Sequence, residues 1–215
     1  MPTHPDFSNL TVVSHPLIHH KVSQLRNKHT EPKIFRELIQ EITLLLGFEA
    51  TRQLATELHP VETPLETVNA PQLSQASPVI VPILRAGLGM VDSLLALMPQ
   101  ARVGHIGLYR QETTLTPHTY YCKLPPREKG QEVFICDPML ATGGSAVNAI
   151  TLLKNEQFDK ICLLNIVSAP EGVAHLLAEH PDVTIYTAAL DRQLNEAGYI
   201  LPGLGDAGDR LYGTK

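Results

Sequence analysis

The sequence predicts an α/β protein in which a parallel sheet is flanked by helices. Short apolar runs recur from residue 79 onward, and their starts lie 22 to 30 residues apart, about the length of a βαβ unit. Helical patterns fill several of the intervals, and such alternation is typical of a parallel sheet covered on both faces. The predicted strands are 79–84, 103–108, 133–136, 161–167 and 183–186, and the predicted helices between them are 88–98, 146–154 and 171–179.

The chain ahead of these strands is predicted to be mainly helical. Pro32 stands at a favourable first helical position after Thr30, and Gly47 marks a break or a tight contact near the end of that helix. The apolar residues of its buried face are Ile34, Phe35, Leu38, Ile39, Ile42, Leu45 and Leu46. A second helix is expected over 49–58. The segment 60–78 contains four prolines and is predicted to be a connection.

Composition and charge exclude several classes of protein. The net charge of −5 argues against general nucleic-acid binding through a basic face. The sequence has neither the long apolar run of a membrane span nor the start of a secretory signal. The cysteines, Cys122, Cys136 and Cys162, are odd in number and far apart. We therefore expect a cytoplasmic protein without membrane attachment and without a structural zinc site.

The interval between the second and third predicted strands lacks a helical pattern. Residues 110–126 are instead rich in threonine and tyrosine, which favour extended structure. A long hairpin or excursion beyond the sheet is predicted here, and long loops in compact domains often act as lids.

The segment 132–145 carries the most informative motif. A buried strand ends at Asp137, and the small-residue loop Pro-Met-Leu-Ala-Thr-Gly-Gly follows it and opens a helix for which Ser145 is the expected N-cap. Backbone N–H groups at such a helix start, together with its partial positive charge, bind a phosphate without any lysine. Ligands of open α/β sheets gather at this edge of the sheet. The sequence thus predicts a phosphate site beside Asp137.

This motif resembles the phosphoribosyl diphosphate (PRPP) site of the type I phosphoribosyltransferases. Many relatives have two adjacent acids where this chain has Asp137 followed by Pro138. The run Asp-Pro-Met-Leu-Ala-Thr-Gly-Gly-Ser at 137–145 is similar to that of the uracil phosphoribosyltransferases.

Three further segments carry the same resemblance. Arg85 follows the first predicted strand in Pro-Ile-Leu-Arg-Ala-Gly-Leu-Gly, the family's pyrophosphate loop, and an arginine fork suits phosphate. Arg110 opens the predicted hairpin, which resembles the family's active-site hairpin, although Gln111 stands where relatives often have an acid or asparagine. The glycine-rich segment 203–210, which we call the base loop, resembles the family's uracil loop. It is too near the end of the sequence for the βαβ unit of a dinucleotide site.

The resemblance implies roles for individual residues. Arg85, Arg110 and Asp137 are the expected catalytic residues. The residues expected to bind PRPP are Arg85, Arg110, Asp137, Pro138, Met139, Leu140, Ala141, Thr142, Gly143, Gly144, Ser145 and Asp206. The residues expected to contact uracil are Ile200, Gly205, Asp206 and Ala207. No protein ligand for a metal is assigned, because Mg²⁺ is expected to bind mainly through PRPP.

The implied reaction is the transfer of the phosphoribosyl group of PRPP to uracil, which gives UMP and pyrophosphate. The resemblance covers nearly the whole chain and implies one domain, 1–215. Its parts are a helical N-terminal extension (1–78), an α/β core (79–187) and a base-binding hood (188–215). A homo-oligomer, either a dimer or a tetramer, is expected, and GTP is a candidate effector because some relatives respond to it.

Two other functions stay open at this level. A PRPP-binding regulator of pyrimidine genes would act through RNA, but the sequence shows no basic stripe for RNA. A transferase for orotate or a purine is the other alternative. Orotate carries a carboxylate and would favour a cation in the base loop, where only Asp206 is charged among residues 205–207.

Overall fold

The computed structural model describes residues 4–74, 76–110 and 117–214, with the backbone alone for Arg110 and Pro117. The strands are β1 (Leu10–Val12), β2 (Thr56–Glu62), β3 (Thr67–Leu73), β4 (Val79–Leu84), β5 (Arg102–Val103), β6 (His105–Arg110), β7 (Pro117–Lys123), β8 (Glu132–Cys136), β9 (Met139–Leu140), β10 (Lys160–Ser168), β11 (Thr184–Leu190), β12 (Gln193–Leu194) and β13 (Ile200–Leu201). The helices are α1 (Pro16–Arg26), α2 (Pro32–Ala50), α3 (Leu88–Leu97), α4 (Gly144–Asn155), α5 (Pro170–Glu179) and α6 (Ala207–Tyr212), with a short 3-10 helix at Thr51–Gln53.

The main sheet confirms the predicted α/β class. Its strands lie in the order β1-β11-β10-β8-β4-β6-β7, with β5 beside β4 and β9 beside β10. The pairings are parallel apart from that of β6 with β7. The predicted run 103–108 is divided between β5 and β6, and the other predicted core strands and helices differ from the observed ones only at their ends.

Helices cover both faces of this sheet. Apolar residues of α1, α2, α3 and α6 pack on one face, and apolar residues of α4 and α5 pack on the other. The central strands are consequently buried on both sides, as their continuous apolar sequences require. The carboxyl ends of β4, β8 and β10 lie at one edge, from which the loops of the site extend.

The N-terminal region agrees with the sequence in part. The helix from Pro32 is confirmed, and Gly47 lies inside it, where a Cβ would come within 2.6 Å of the Leu94 side chain. The predicted helix over 49–58 is wrong, because α2 ends at Ala50 and β2 begins at Thr56.

The predicted connection over 60–78 is also wrong in part, because β2 and β3 form a separate antiparallel hairpin. We call this hairpin the arm. The prolines of its strands, Pro60 and Pro71, lie in a ribbon whose two strands are both edges, and an edge position tolerates the missing N–H of proline. Thr63 stabilises the turn between β2 and β3, because its hydroxyl donates to the Glu66 carbonyl at 2.7 Å.

Two further features complete the fold. The pairing of β6 with β7 confirms the predicted hairpin, which extends the main sheet at its edge. Strand β1, which the sequence reading did not predict, pairs in parallel with β11. None of the helices in the described part of the chain has both the length and the apolar character needed to cross a membrane.

Candidate active site

Asp137 directly follows β8 at the edge where the parallel strands end. Its backbone is fixed to β10, because its N–H donates to the Leu164 carbonyl at 3.2 Å and its carbonyl accepts from the Asn165 side-chain amide at 2.6 Å. Burial raises the pKa of the Asp137 carboxyl to about 7, although the Met139 N–H, 3.3 Å from the carboxyl, acts in the opposite direction. This half-buried carboxyl can accept hydrogen bonds from the hydroxyls of a ligand.

Residues 138–145 form the loop that follows, which we call the phosphate loop. Its first half is bonded to β10. The Pro138 carbonyl accepts from the N–H groups of Ile166 and Val167, both at 3.0 Å, and the Leu140 carbonyl accepts from Ala169 at 2.9 Å. These hydrogen bonds fix the backbone of the first half of the phosphate loop against the neighbouring strand.

The phosphate loop ends at the start of α4. Gly143 is the N-cap, with a left-handed φ of 83°, and no side chain caps the helix. The prediction that Ser145 is the N-cap is wrong, because the left-handed conformation open to glycine turns the chain into the helix two residues earlier. The N–H groups of the first helical turn lie ahead of the first intrahelical bond, and the helix dipole makes them a site for an anion.

Helix α5 supports the phosphate loop from behind. Gly172 allows close contact, since a Cβ at this position would come within 2.2 Å of the Ala141 carbonyl oxygen. His175 Nδ1 lies 2.8 Å from the Thr142 carbonyl oxygen, which accepts its N–H. The Thr142 carbonyl is thereby hydrogen-bonded to α5, and the Ala141 carbonyl packs closely against it.

Arg85 follows β4 and reaches the C-terminal segment. Its guanidinium Nη2 lies 3.6 Å from Asp209 Oδ1, and its carbonyl accepts a hydrogen bond from the Tyr212 hydroxyl at 3.1 Å. The side chain is 58% exposed, so most of its donors face solvent. The structure thus brings together two segments that the sequence analysis singled out separately, and it adds Asp209, which the sequence analysis did not select.

The hairpin β6–β7 is described only in part. Arg110 is the last residue of β6, and its side chain and residues 111–116 lie outside the described residues, so its predicted contact with PRPP stays a prediction. On β7 of the hairpin the Thr119 hydroxyl lies 3.2 Å from Asn148 Oδ1 on α4. This contact places the described part of the hairpin beside the helix that begins at the phosphate loop.

A cavity of about 240 Å³ lies between the phosphate loop and the C-terminal segment. We call it the base cavity. Its lining residues are Met139, Ala141, Ala197, Gly198, Tyr199, Ile200, Gly205, Asp206 and Ala207. All four residues predicted to contact uracil are among them. The sequence reading did not assign Tyr199 or Ala197 to the site, although Tyr199 directly precedes Ile200 in the segment that it selected.

The C-terminal segment reaches this cavity through a small hairpin and a short helix. Strands β12 and β13 pair, and between them Asn195 Oδ1 accepts from the N–H groups of Ala197 and Tyr199. Asp206 is the N-cap of α6, since its Oδ1 accepts from the Asp209 N–H at 2.9 Å. Asp206 therefore shapes the loop besides lining the cavity.

A carboxylate cage for a metal would need several ligands close together. Among the described residues, no group of three or more His, Cys, Asp or Glu side chains is placed to hold a metal ion.

Comparison with known proteins identifies relatives of the whole chain. The sequence profile of the family described as uracil phosphoribosyltransferase matches residues 12–214. The chain is 54% identical over 208 residues to a uracil phosphoribosyltransferase of Clostridium kluyveri, and the match covers 97% of this chain and 100% of that protein. It is 53% identical, with the same coverage, to one from Clostridium botulinum.

Solved structures give the same picture of the fold. A protein of Aquifex aeolicus matches with a TM-score of 0.90 and 39% identity, which covers 94% of this chain and 97% of the other. A hypoxanthine-guanine phosphoribosyltransferase of Bacillus anthracis matches with a TM-score of 0.51 and 12% identity, over 74% of this chain and 80% of the other, and this likeness concerns the fold alone.

Proposed function

The chain belongs to the uracil phosphoribosyltransferase family, and on that premise we propose how its residues carry out the reaction. The protein transfers the phosphoribosyl group of PRPP to uracil and releases UMP and pyrophosphate. This reaction returns a free pyrimidine base to the nucleotide pool, which is pyrimidine salvage.

One observation carries the assignment of the site. Met139 and Ala141 of the phosphate loop line the same cavity as Ile200 and Gly205 of the C-terminal segment. A base in this cavity would therefore lie directly beside a sugar whose 5′-phosphate occupies the phosphate loop. Holding both reactants in one orientation supplies a large part of the rate enhancement of a group transfer.

We assign the 5′-phosphate of PRPP to residues 138–145 and the ribose hydroxyls to Asp137. The N–H groups at the start of α4 would donate to the phosphate oxygens. Asp137 is half-buried at the end of β8, next to the start of that loop, and its carboxylate form accepts two hydroxyl hydrogen bonds. Without a ligand the pKa of Asp137 is raised to about 7. Hydrogen bonds from bound hydroxyls would stabilise the ionised form and so lower that pKa.

The pyrophosphate is the leaving group, and we assign it to Arg85 and Arg110. Negative charge grows on it as the bond to the anomeric carbon breaks, and arginine donors aimed at that charge stabilise the transition state. The exposed donors of Arg85 and its position between β4 and α6 support this role. Arg110 is assigned by resemblance alone.

Uracil is assigned to the base cavity, with contacts from Ile200 and from residues 205–207. The cavity is small, and five of its nine described lining residues are glycine or alanine, which leaves room for one flat ring with alternating carbonyl and N–H groups. Among the described residues that line it, only Asp206 is charged, and this supports uracil over orotate. No residue is assigned as a general base for N1 of the ring.

Magnesium is expected to reach the site with PRPP. Mg²⁺ commonly binds through substrate phosphates, one or two carboxylates and water, and Asp137 is a half-buried carboxylate at this edge, so the residues present fit that arrangement. When bound, the ion neutralises charge on the pyrophosphate. The protein residues then have to orient PRPP and, with the hairpin closed over it, to exclude water.

Three further properties belong to this proposal. A homo-oligomer, a dimer or a tetramer, is supported by the arm, because an isolated two-stranded hairpin is marginally stable in water and Leu65 at its tip is 95% exposed. Light scattering would give the mass.

A cytoplasmic location is supported by the exposed free thiol of Cys122. Activation by GTP rests on the resemblance, and an assay with and without GTP tests it.

The function is tested by incubating the protein with PRPP, Mg²⁺ and each of uracil, orotate, cytosine, hypoxanthine and adenine, followed by chromatography of the nucleotides. We expect UMP and pyrophosphate in equal amounts from uracil. Nucleotide formation from another base with a higher kcat/KM would overturn the assignment of the base. Tight, salt-sensitive RNA binding without nucleotide formation would favour the regulatory alternative.

A further inference from the structure

Two arginines cross-link the end of α1 to the loop that precedes α6. Arg26 is the last residue of α1, and its Nη1 donates to the Gly203 carbonyl and to Asp191 Oδ2, both at 2.7 Å. Arg210 of α6 reaches in the opposite direction and donates to the carbonyls of Leu25 at 2.7 Å and Asn27 at 2.6 Å. We call this pair the arginine clasp.

Each arginine of the clasp also holds one carbonyl of the loop 203–205. Arg26 binds the Gly203 carbonyl, and Arg210 Nη1 binds the Leu204 carbonyl at 2.8 Å. Asp191 is only 8% exposed. Its carboxylate accepts hydrogen bonds from the Gly203 N–H, at 2.8 Å, and from both terminal nitrogens of the Arg26 guanidinium. The Arg210 guanidinium further lies over the Phe35 ring, 4.4 Å from its centre. These contacts leave little freedom to the loop's backbone.

The loop lies between two cavities. One is the base cavity, and the other is a cavity of about 510 Å³ lined by Arg26 and Arg210. Tyr199, Gly205 and Asp206 line both. In a trans peptide group the carbonyl and the N–H point in opposite directions. Because the Leu204 carbonyl is turned toward Arg210, the Gly205 N–H of the same peptide group is turned away from the clasp.

We propose that Arg26 and Arg210 are positioning residues for base recognition, which act on the Gly203–Gly205 backbone so that the Gly205 N–H is presented to the base cavity. This inference rests on the proposed function of that cavity. Neither arginine lines the base cavity. They affect catalysis only by positioning the loop, and this changes the binding of uracil rather than the binding of PRPP.

The test compares Arg26→Ala and Arg210→Ala with Arg36→Ala, a matched control. Arg36 also donates to a carbonyl of α6, that of Leu211 at 2.7 Å, but it does not touch the loop. We expect the KM for uracil to rise about tenfold in the two clasp variants, since each loses a charged hydrogen bond that orients the loop. The KM for PRPP should change less than about twofold. Arg36→Ala should keep both KM values while its melting temperature falls.

Two additions keep the test decisive if Arg26→Ala, which leaves Asp191 unpaired, does not fold. Arg26→Lys keeps the ion pair with Asp191 but loses the fork, and it should raise the KM for uracil several-fold. Guanidinium ion at millimolar concentration should lower the KM for uracil of Arg210→Ala, because the cavity behind the loop is open to it, and should leave Arg36→Ala unaffected.

The results also separate this inference from the proposed function. Wild-type protein that forms no UMP would overturn the function itself. Wild-type activity together with unchanged KM for uracil in the clasp variants would overturn the positioning role. An equal rise of both KM values, or the same kinetic change in Arg36→Ala, would overturn it too, because the arginines would then only stabilise the fold.

Discussion

The phosphate loop and the C-terminal base loop line one cavity, but different interactions hold them in place. The phosphate loop takes its path from adjacent strand β10 and from α5, largely through backbone hydrogen bonds and the close approach of Gly172. The base loop depends on side chains from far along the chain, chiefly Arg26, which lies 177 residues from Gly203. The position of the phosphate loop follows from sheet topology, and the position of the base loop follows from tertiary packing.

This difference has a consequence for what each region can tolerate. A loop that is held by backbone hydrogen bonds is displaced when a neighbouring substitution adds atoms beside its backbone. A loop that is held by side chains is displaced when those side chains are removed. Substitutions in the two regions should therefore affect different substrates.

Arg85→Ala should have the largest effect, because this arginine lies between β4 and α6 and is assigned to the leaving group. We expect kcat/KM to fall about a hundredfold or more in steady-state assays. Its side chain is largely exposed and its pairing with Asp209 is loose at 3.6 Å, so thermal unfolding should change little. Arg102→Ala, which removes the surface pairing with Glu128, is the control. Near-normal turnover of Arg85→Ala would remove this residue from the mechanism.

Gly172→Ala and Ala207→Val form a pair of small additions, one in each region. The new methyl of Gly172→Ala would meet the Ala141 carbonyl oxygen and displace the phosphate loop, so the KM for PRPP should rise about tenfold. Ala207→Val adds bulk to the base cavity and should raise the KM for uracil by a similar factor. If each substitution impairs both substrates equally, the separation of the two regions is wrong.

Asp137→Asn tests the half-buried carboxyl by the pH dependence of stability. The pKa of Asp137 is raised to about 7, so the folded protein holds a proton that the unfolded chain releases at lower pH. Ionisation at the wild-type site therefore reduces stability progressively as the pH rises from about 4 to about 7. The amide is never ionised.

Asp137→Asn should consequently differ little from wild type at pH 4 and be more stable by about 1–2 kcal/mol at pH 8, measured by urea unfolding. Activity should also fall at both pH values, but less than in Arg85→Ala, because an amide is a weaker acceptor for ribose hydroxyls. A stability difference that does not depend on pH would show that the carboxyl has an ordinary pKa.

His175→Ala should have the smallest effect. It removes the hydrogen bond to the Thr142 carbonyl on the rear side of the phosphate loop. A single hydrogen bond of this kind at an exposed position predicts a rise of about threefold in the KM for PRPP, with the KM for uracil unchanged. Glu179→Ala, an exposed substitution on the same helix, should have no effect on either value. A larger change for uracil than for PRPP would contradict the assignment of this loop.

The same contrast explains what could be predicted from the sequence. The strand, Asp137, the phosphate loop and α4 follow one another within a short stretch, so local pattern and turn chemistry were enough to identify the anion site. Only the N-cap was misplaced, from Gly143 to Ser145, because serine is the commoner cap and a left-handed glycine leaves no signal of its own. The resemblance to a known family then identified the base loop.

The remaining errors concern structure that depends on distant partners. The four prolines of 60–78 suggested a connection, but the two strands of the arm are both edges, which tolerate Pro60 and Pro71 and which the local sequence does not reveal. Strand β1 is only three residues long and is defined by its pairing with β11. The arginine clasp was missed because Arg26 has no neighbouring motif and meets Asp191 and Gly203 only in the folded chain.

The most direct test of this account is a crystal structure of the protein with UMP bound. The account predicts that the phosphate oxygens accept hydrogen bonds of about 2.7–3.2 Å from N–H groups of residues 141–145, with the ribose at Asp137. The uracil ring should lie against Ile200 and residues 205–207, within reach of the Gly205 N–H. A phosphate bound away from the phosphate loop, or a base outside the cavity between the two loops, would contradict it.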